Sequence, residues 1–163
     1  MSERWKPSVT VAAVIERDGR FLMVEEETPE GPMLNNPAGH LEQGETPQQG
    51  VVREALEETA RGFVPDRLIG VYLARFQRPA RGEDVTYLRI AFGGHAGEPD
   101  PARPLDSGIV RTVWMTLDEL RASRARHRSA LVLRCVEDFG AGRAFPLDAV
   151  FSDATVFEPE IKG

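Results

Sequence analysis

Apolar and β-branched positions cluster over residues 8–14 and again over 21–24, separated by the polar tetrad Arg17-Asp18-Gly19-Arg20. Two such runs joined by an Asp-Gly turn predict a β-hairpin. Over residues 25–39 the pattern loses any period, turning acidic and then rich in Pro, Gly and Asn. That text predicts a loop delivering the chain to Pro37-Ala38-Gly39. A helical pattern follows from Pro47 to about Thr59, with Thr46 placed to cap it, Pro47 suited to the first position and Gln49 able to complete a capping box. At about 100° per residue, Glu57 and Glu58 flank Glu54 on one helix face, while Val52, Ala55 and Leu56 fall on the other.

Residues 68–76 and 87–93 read as strands on either side of a polar turn region, 78–84, and 110–115 reads as a further strand. Residues 98–104, with three prolines, are an exposed loop. Thr116 is expected to cap a short helix reaching about Ala122, and 129–139 a longer helix stopped near Gly140; nothing after Pro146 has a clear pattern. Strands followed by helices, with hairpins among the strands, predict an α/β (α+β) fold with a mixed sheet packed by helices.

Composition changes little in that picture. A chain of 163 residues has the size of one domain, so residues 1–163 are expected to share a single core. Hydrophobic residues at 41% and charged residues at 28% exclude a disordered or fibrous class. The net charge of −6 argues against binding long nucleic acid or anionic lipid, so a polyanionic partner would need metal ions or local arginines. The opening MSERWKPS lacks an apolar signal core, and no run approaches the roughly 18 apolar residues of a membrane span. A cytoplasmic protein without membrane association is expected, and the lone Cys135 cannot form an internal disulfide. A monomer is slightly favoured.

The candidate chemistry lies between Gly39 and Arg61, GHLEQGETPQQGVVREALEETAR. Three glutamates on a solvated helix cost only about 0.2 to 0.5 kcal/mol per like-charged pair, so acidity alone demands no function. In a partly enclosed cleft the same pair, about 6 Å apart at an effective dielectric near 20, repels by roughly 3 kcal/mol, which a divalent cation would offset. Whether the chain encloses that face decides between the two.

The stretch resembles the Nudix box, G-x5-E-x7-R-E-U-x-E-E-x-G-U with U a bulky apolar residue: Gly39, Glu45, Arg53, Glu54, Glu57 and Glu58 all fit. Ala55 is smaller than usual, Ala60 stands where the last glycine belongs, and Arg61 replaces the final apolar residue. The left-handed cap that the glycine would supply is expected at Gly62 instead. Beyond the box, LNNPAGHLEQGET, YLRIAF, RSALV-x-RC and GRAFPL resemble the NudJ-type subgroup.

The resemblance implies an α/β/α sandwich and hydrolysis of a pyrophosphate bond with Mg²⁺, or Mn²⁺. It implies Glu54, Glu57, Glu58 and the main-chain carbonyl of Gly39 as metal ligands, with Arg53 orienting Glu57. Glu54 would be the general base, with Asp106 ahead of the 110–115 strand as the alternative. Glu45, beside the helix start, is expected to give structural support. Arg89 and His40 are candidate substrate contacts, and Trp114 is read as core rather than as a stacking platform. The implied substrates are hydroxymethylpyrimidine pyrophosphate, thiamine pyrophosphate and nucleoside tri- and diphosphates. The alternatives are ADP-ribose, an oxidised nucleotide, or a module that binds a nucleotide without turnover.

Overall fold

In the computed structural model, which describes residues 2–163, the opening hairpin is present as β1 (Ser8–Arg17) and β2 (Arg20–Glu26). Asp18 and Gly19 both take positive φ, 51° and 75°, the handedness a two-residue hairpin turn needs. The chain continues through β3 (Met33–Asn35), β4 (Ala38–His40), α1 (Pro47–Thr59), β5 (Phe63–Arg78) and β6 (Glu83–Ala96). It ends with β7 (Ile109–Thr116), α2 (Leu117–Ala122), α3 (Leu131–Gly140) and short 3₁₀ turns at Leu147–Ala149 and Ala154–Phe157. The loop expected over 25–39 therefore contains two strands, each too short to show a period.

The described residues form one seven-stranded sheet in the order β3-β2-β1-β6-β5, with β4 pairing β1 and β7 pairing β2. Strands β1 and β6 run parallel over Ser8–Ile15 and Tyr87–Gly94, while β5 and β6 run antiparallel, so the sheet is mixed as the patterning required. Strands β5 and β6 extend well past the predicted 68–76 and 87–93. Their outer ends alternate between exposed and half-buried positions, and two register shifts, at Pro65/Arg67 and Leu68/Gly70, break the alternation in between.

Alternation along β1 sorts the core onto both sheet faces. Ala12 and Val14 pack with Ile69, Ala91 and the α3 residues Val132 and Val136, whereas Val11, Ala13 and Ile15 pack with Phe92 and the α1 residues Val51 and Ala55. Each fully buried valine of this set contributes about 1.5 to 3 kcal/mol by leaving water. Helices on two faces of a mixed sheet make the expected sandwich.

Helix α1 starts as read: Thr46 accepts from the Gln49 amide at 3.1 Å, and the Gln49 side chain accepts from the Thr46 amide at 2.9 Å. Its end differs. Ala60 itself, not Gly62, takes the left-handed conformation at φ 57° and ψ 22°. That geometry costs a non-glycine residue about 1 to 2 kcal/mol. It is offset by burial of Ala60 and by two hydrogen bonds, from its amide to the Leu56 carbonyl at 2.9 Å and from the Asp100 amide to its own carbonyl at 2.8 Å.

The helix is also rolled from the expected orientation. Val51 and Ala55 are fully buried, but Glu54 and Glu58 are 8% and 5% exposed, while Val52 and Leu56 are only half-buried. The acidic stripe therefore faces protein rather than solvent.

Candidate active site

The fold of strand β4 onto β1 brings Gly39 against the first turns of α1. A methyl group built on Gly39 would overlap the Glu54 carboxylate, so only glycine allows that carboxylate to lie against the β4 backbone. This close approach gives the glycine of the motif a steric reason.

Arg53 is the hub of a carboxylate network on and beside the helix. Its Nε and Nη2 donate to the two Glu45 oxygens at 3.0 and 2.8 Å, its Nη1 donates to Glu54 at 2.8 Å and to Glu57 at 3.2 Å, and its Nη2 also reaches the His40 carbonyl at 3.0 Å. The pairing with Glu57 was legible from the i, i+4 spacing; those with Glu45 and Glu54 were not. Glu45 does not act on the helix dipole alone: it clamps Arg53 as a fork and accepts the Glu42 amide at 2.8 Å, and these bonds hold its pKa below the ordinary carboxylate value.

Glu58 has the opposite environment. Its Oε2 is buried with no hydrogen-bond partner, and burial, with the charges of Glu26, Glu54 and Asp106, pushes its pKa up to about 9. Burial raises Glu54 as well, against the pull of Arg53. Asp106 is exposed on the β6–β7 loop, where its backbone amide donates to the Glu57 carbonyl at 2.9 Å and its charge acts on both Glu54 and Glu58. Glu26, at the end of β2, is raised by burial despite Arg128, whose Nε lies 3.3 Å away, and despite the Asn35 amide at 3.2 Å. The sequence reading missed Glu26. Its signal was the strand parity shared with Leu22 and Val24, hidden in a run of three glutamates.

A cavity of about 1160 Å³ opens beside this cluster, with Glu26, Gly39 and His40 among its lining residues. One wall is apolar and aromatic, from Met33, Phe76, Tyr87 and Leu131; another carries Arg124, His127 and Arg128 from the segment before α3. Arg89 also lines the cavity but is 6% exposed, and its Nη1 and Nη2 donate to Asn36 Oδ1 at 2.7 Å and Asn35 Oδ1 at 2.9 Å. Among the described residues no carboxylate pairs with it directly; Asn35 bridges it to Glu26. His40 stands 6.3 Å from Tyr87, ring centre to ring centre. Trp114 is outside the cavity, packed against the core with the Arg17 and Arg61 guanidinium carbons each 5.3 Å from its ring.

The donor set suits a hard divalent cation: carboxylate oxygens only, one of them buried without a partner, under mutual repulsion that a cation would relieve. Among the described residues no three His, Cys, Asp or Glu side chains are assembled into a closed ligand group. Glu54 and Glu57 are turned toward Arg53 instead.

The model of the NUDIX domain matches residues 4–134, spanning the acidic helix, the cavity strands and the segment before α3. The chain belongs to the Nudix family. It is 34% identical to the phosphatase NudJ of Shigella boydii and to that of Escherichia coli K12, over 147 residues that cover 90% of this chain and 92% of either relative. A solved Nudix hydrolase from Nitrosomonas europaea is 49% identical, with a TM-score of 0.81 over 91% of this chain and 98% of that one. A MutT Nudix hydrolase from Burkholderia pseudomallei is 26% identical, with a TM-score of 0.64 over 82% of this chain and 98% of its own. The chain is thus a Nudix pyrophosphohydrolase, of a family that generally works with divalent metal ions. No helix among the described residues is long and apolar enough to cross a membrane.

Proposed function

We propose that this Nudix protein hydrolyses small pyrophosphates of the kind taken by NudJ-type enzymes: hydroxymethylpyrimidine pyrophosphate, thiamine pyrophosphate and nucleoside tri- and diphosphates. The observation that carries the reading is the buried, unpartnered Glu58 carboxylate oxygen, crowded by Glu54, Asp106 and Glu26, the last of which also lines the cavity. Crowding of that kind is costly in the isolated chain and useful only when a cation joins it.

Glu54, Glu57, Glu58 and the Gly39 carbonyl are the residues assigned to hold Mg²⁺ or Mn²⁺. A bound cation would neutralise phosphate charge and lower the pKa of the attacking water. Arg53 fixes the rotamers of Glu54 and Glu57 by donating to both, and Glu45 holds Arg53 in place for that task. Glu54, pressed against Gly39, is assigned to take the proton from water, with Asp106 the alternative acceptor. Arg89 retains N–H donors beyond those given to Asn35 and Asn36 for a substrate phosphate, and the organic moiety packs along Tyr87, Phe76 and His40.

The test is a panel of those substrates with ADP-ribose, compared by kcat/KM with Mg²⁺ and with Mn²⁺. The proposal expects hydroxymethylpyrimidine or thiamine pyrophosphate, or a nucleoside di- or triphosphate, to rank first. A marked preference for ADP-ribose overturns the substrate assignment, and binding without turnover of any of them overturns the catalytic one.

A further inference from the structure

Two of the three departures from the Nudix box, Ala60 and Arg61, lie at the end of α1, and both meet the same partner. The last carbonyls of a helix have no intrahelical donors and must be satisfied from elsewhere. Here the β6–β7 loop supplies them: the Asp100 amide donates to the Ala60 carbonyl at 2.8 Å and the Asp106 amide to the Glu57 carbonyl at 2.9 Å. Three residues past the helix, the Gly97 amide donates to the Gly62 carbonyl at 3.0 Å.

Arg61 closes the arrangement from the side. It is 8% exposed, its Nη1 donates to the Gly97 carbonyl at 2.8 Å, and its guanidinium carbon lies 5.3 Å from the Trp114 ring centre. Trp114 sits on β7, the strand that the loop leads into, so Arg61 touches the loop's first residue and the strand at its far end. Arg17 adds a second grip, donating to the Ala96 carbonyl at 2.7 Å and to Glu98 at 3.0 Å. An apolar residue at position 61 could pack on Trp114 but could not bond to Gly97.

We infer that Arg61 is a positioning residue that pins the β6–β7 loop to the end of α1, holding Asp106 against the turn that carries Glu57 and Glu58 so that its carboxylate takes part in cation binding. The left-handed turn at Ala60 belongs to the same device, because it presents the carbonyl that Asp100 caps. The Asp106 amide bond to the Glu57 carbonyl sets that residue against the last turn of α1, which carries Glu57 and Glu58. The inference rests on the metal assignment proposed above, and its test separates the two.

Arg61→Met keeps the volume and the contact with Trp114 but removes the bond to Gly97; Arg61→Lys keeps the charge. Amide hydrogen exchange of the metal-free protein is followed at Gly97, Asp100 and Asp106, and Mn²⁺ affinity by the free-ion signal in electron paramagnetic resonance. Loss of one charge-assisted bond predicts exchange about tenfold faster at those amides in Arg61→Met, with an intermediate value in Arg61→Lys. Mn²⁺ affinity should fall about as far in Arg61→Met as in Asp106→Asn, and no further in the double variant. Unchanged exchange in both Arg61 variants overturns the pin, and additive losses in the double variant overturn its action through Asp106. Should Arg61→Met not fold, Arg61→Lys carries both readouts. If the wild-type chain binds no Mn²⁺, the metal assignment fails and the exchange data still decide whether Arg61 holds the loop.

Discussion

The two halves of the carboxylate cluster on and beside helix α1 handle the same kind of charge in opposite ways. In the first half Glu45, Glu54 and Glu57 share one guanidinium, and every contact from Arg53 to them is 3.2 Å or shorter. Next to Glu57 in sequence, Glu58 is buried to 5% exposure with an oxygen that bonds to nothing. The first half is a finished ion network that orders side chains. The second half is an unfinished one, and in a folded protein a buried group left without a partner marks the place where a ligand contributes most.

Four perturbations break or sharpen that contrast. The largest effect is expected from Glu58→Gln, which removes a charge from the unfinished half: kcat should fall on the order of 10³-fold, in keeping with the several kcal/mol a catalytic metal supplies. The same substitution should raise the melting temperature of the metal-free protein at pH 8, because a neutral amide replaces a carboxyl that resists ionising. Lost activity with gained stability is the signature; a melting temperature that drops instead would place Glu58 in the finished network.

Arg53→Ala strikes the other half. Here activity and stability should fall together, kcat by about 10²-fold and stability by about 2 kcal/mol, since Glu45, Glu54 and Glu57 lose their common donor. Steady-state kinetics and a urea titration check this, and a stable but inactive variant would contradict the ordering role.

The halves also titrate in opposite senses. Glu58 is raised from 4.5 to about 9, so between those values the folded metal-free chain holds a proton that the unfolded chain has released, and stability declines as pH rises through the window. Glu45 is lowered from 4.5, so its contribution is present above that value and is lost as pH falls through its lower folded value. Melting curves of metal-free protein should therefore decline on both sides, and saturating Mg²⁺ should flatten the alkaline decline alone.

The smallest effect is expected in the cavity. Tyr87→Ala removes part of the aromatic wall and should raise KM roughly three- to tenfold with little change in kcat, as one lost aromatic contact allows. A kcat loss as large as that of Arg53→Ala would mean that the wall orders the reacting groups.

What could be read in the sequence follows the range of the contacts involved. The capping box, the hairpin turn at Asp18-Gly19 and the i, i+4 pairing of Arg53 with Glu57 are local, and spacing alone showed them. The roll of α1 was not, because Val52 and Leu56 looked like the packing face, whereas the fold brings β4 against Glu54 and buries Glu58 within range of Glu26 on β2. Arg89 lies on its predicted strand and on the cavity, yet its bonds to Asn35 and Asn36 span more than fifty positions and carry no sequence period. The cap at Ala60 was misplaced to Gly62 because the loop that stabilises it arrives from nearly forty residues downstream.

The central claim, that the unfinished half of the carboxylate cluster is completed by a divalent cation, is tested most directly by calorimetric titration of the metal-free chain with Mg²⁺ and Mn²⁺ at pH 7, in two buffers of different ionisation enthalpy. With Glu58 held near 9, binding should release about one proton per protein. Binding with no proton release, or no binding at all, would contradict the account.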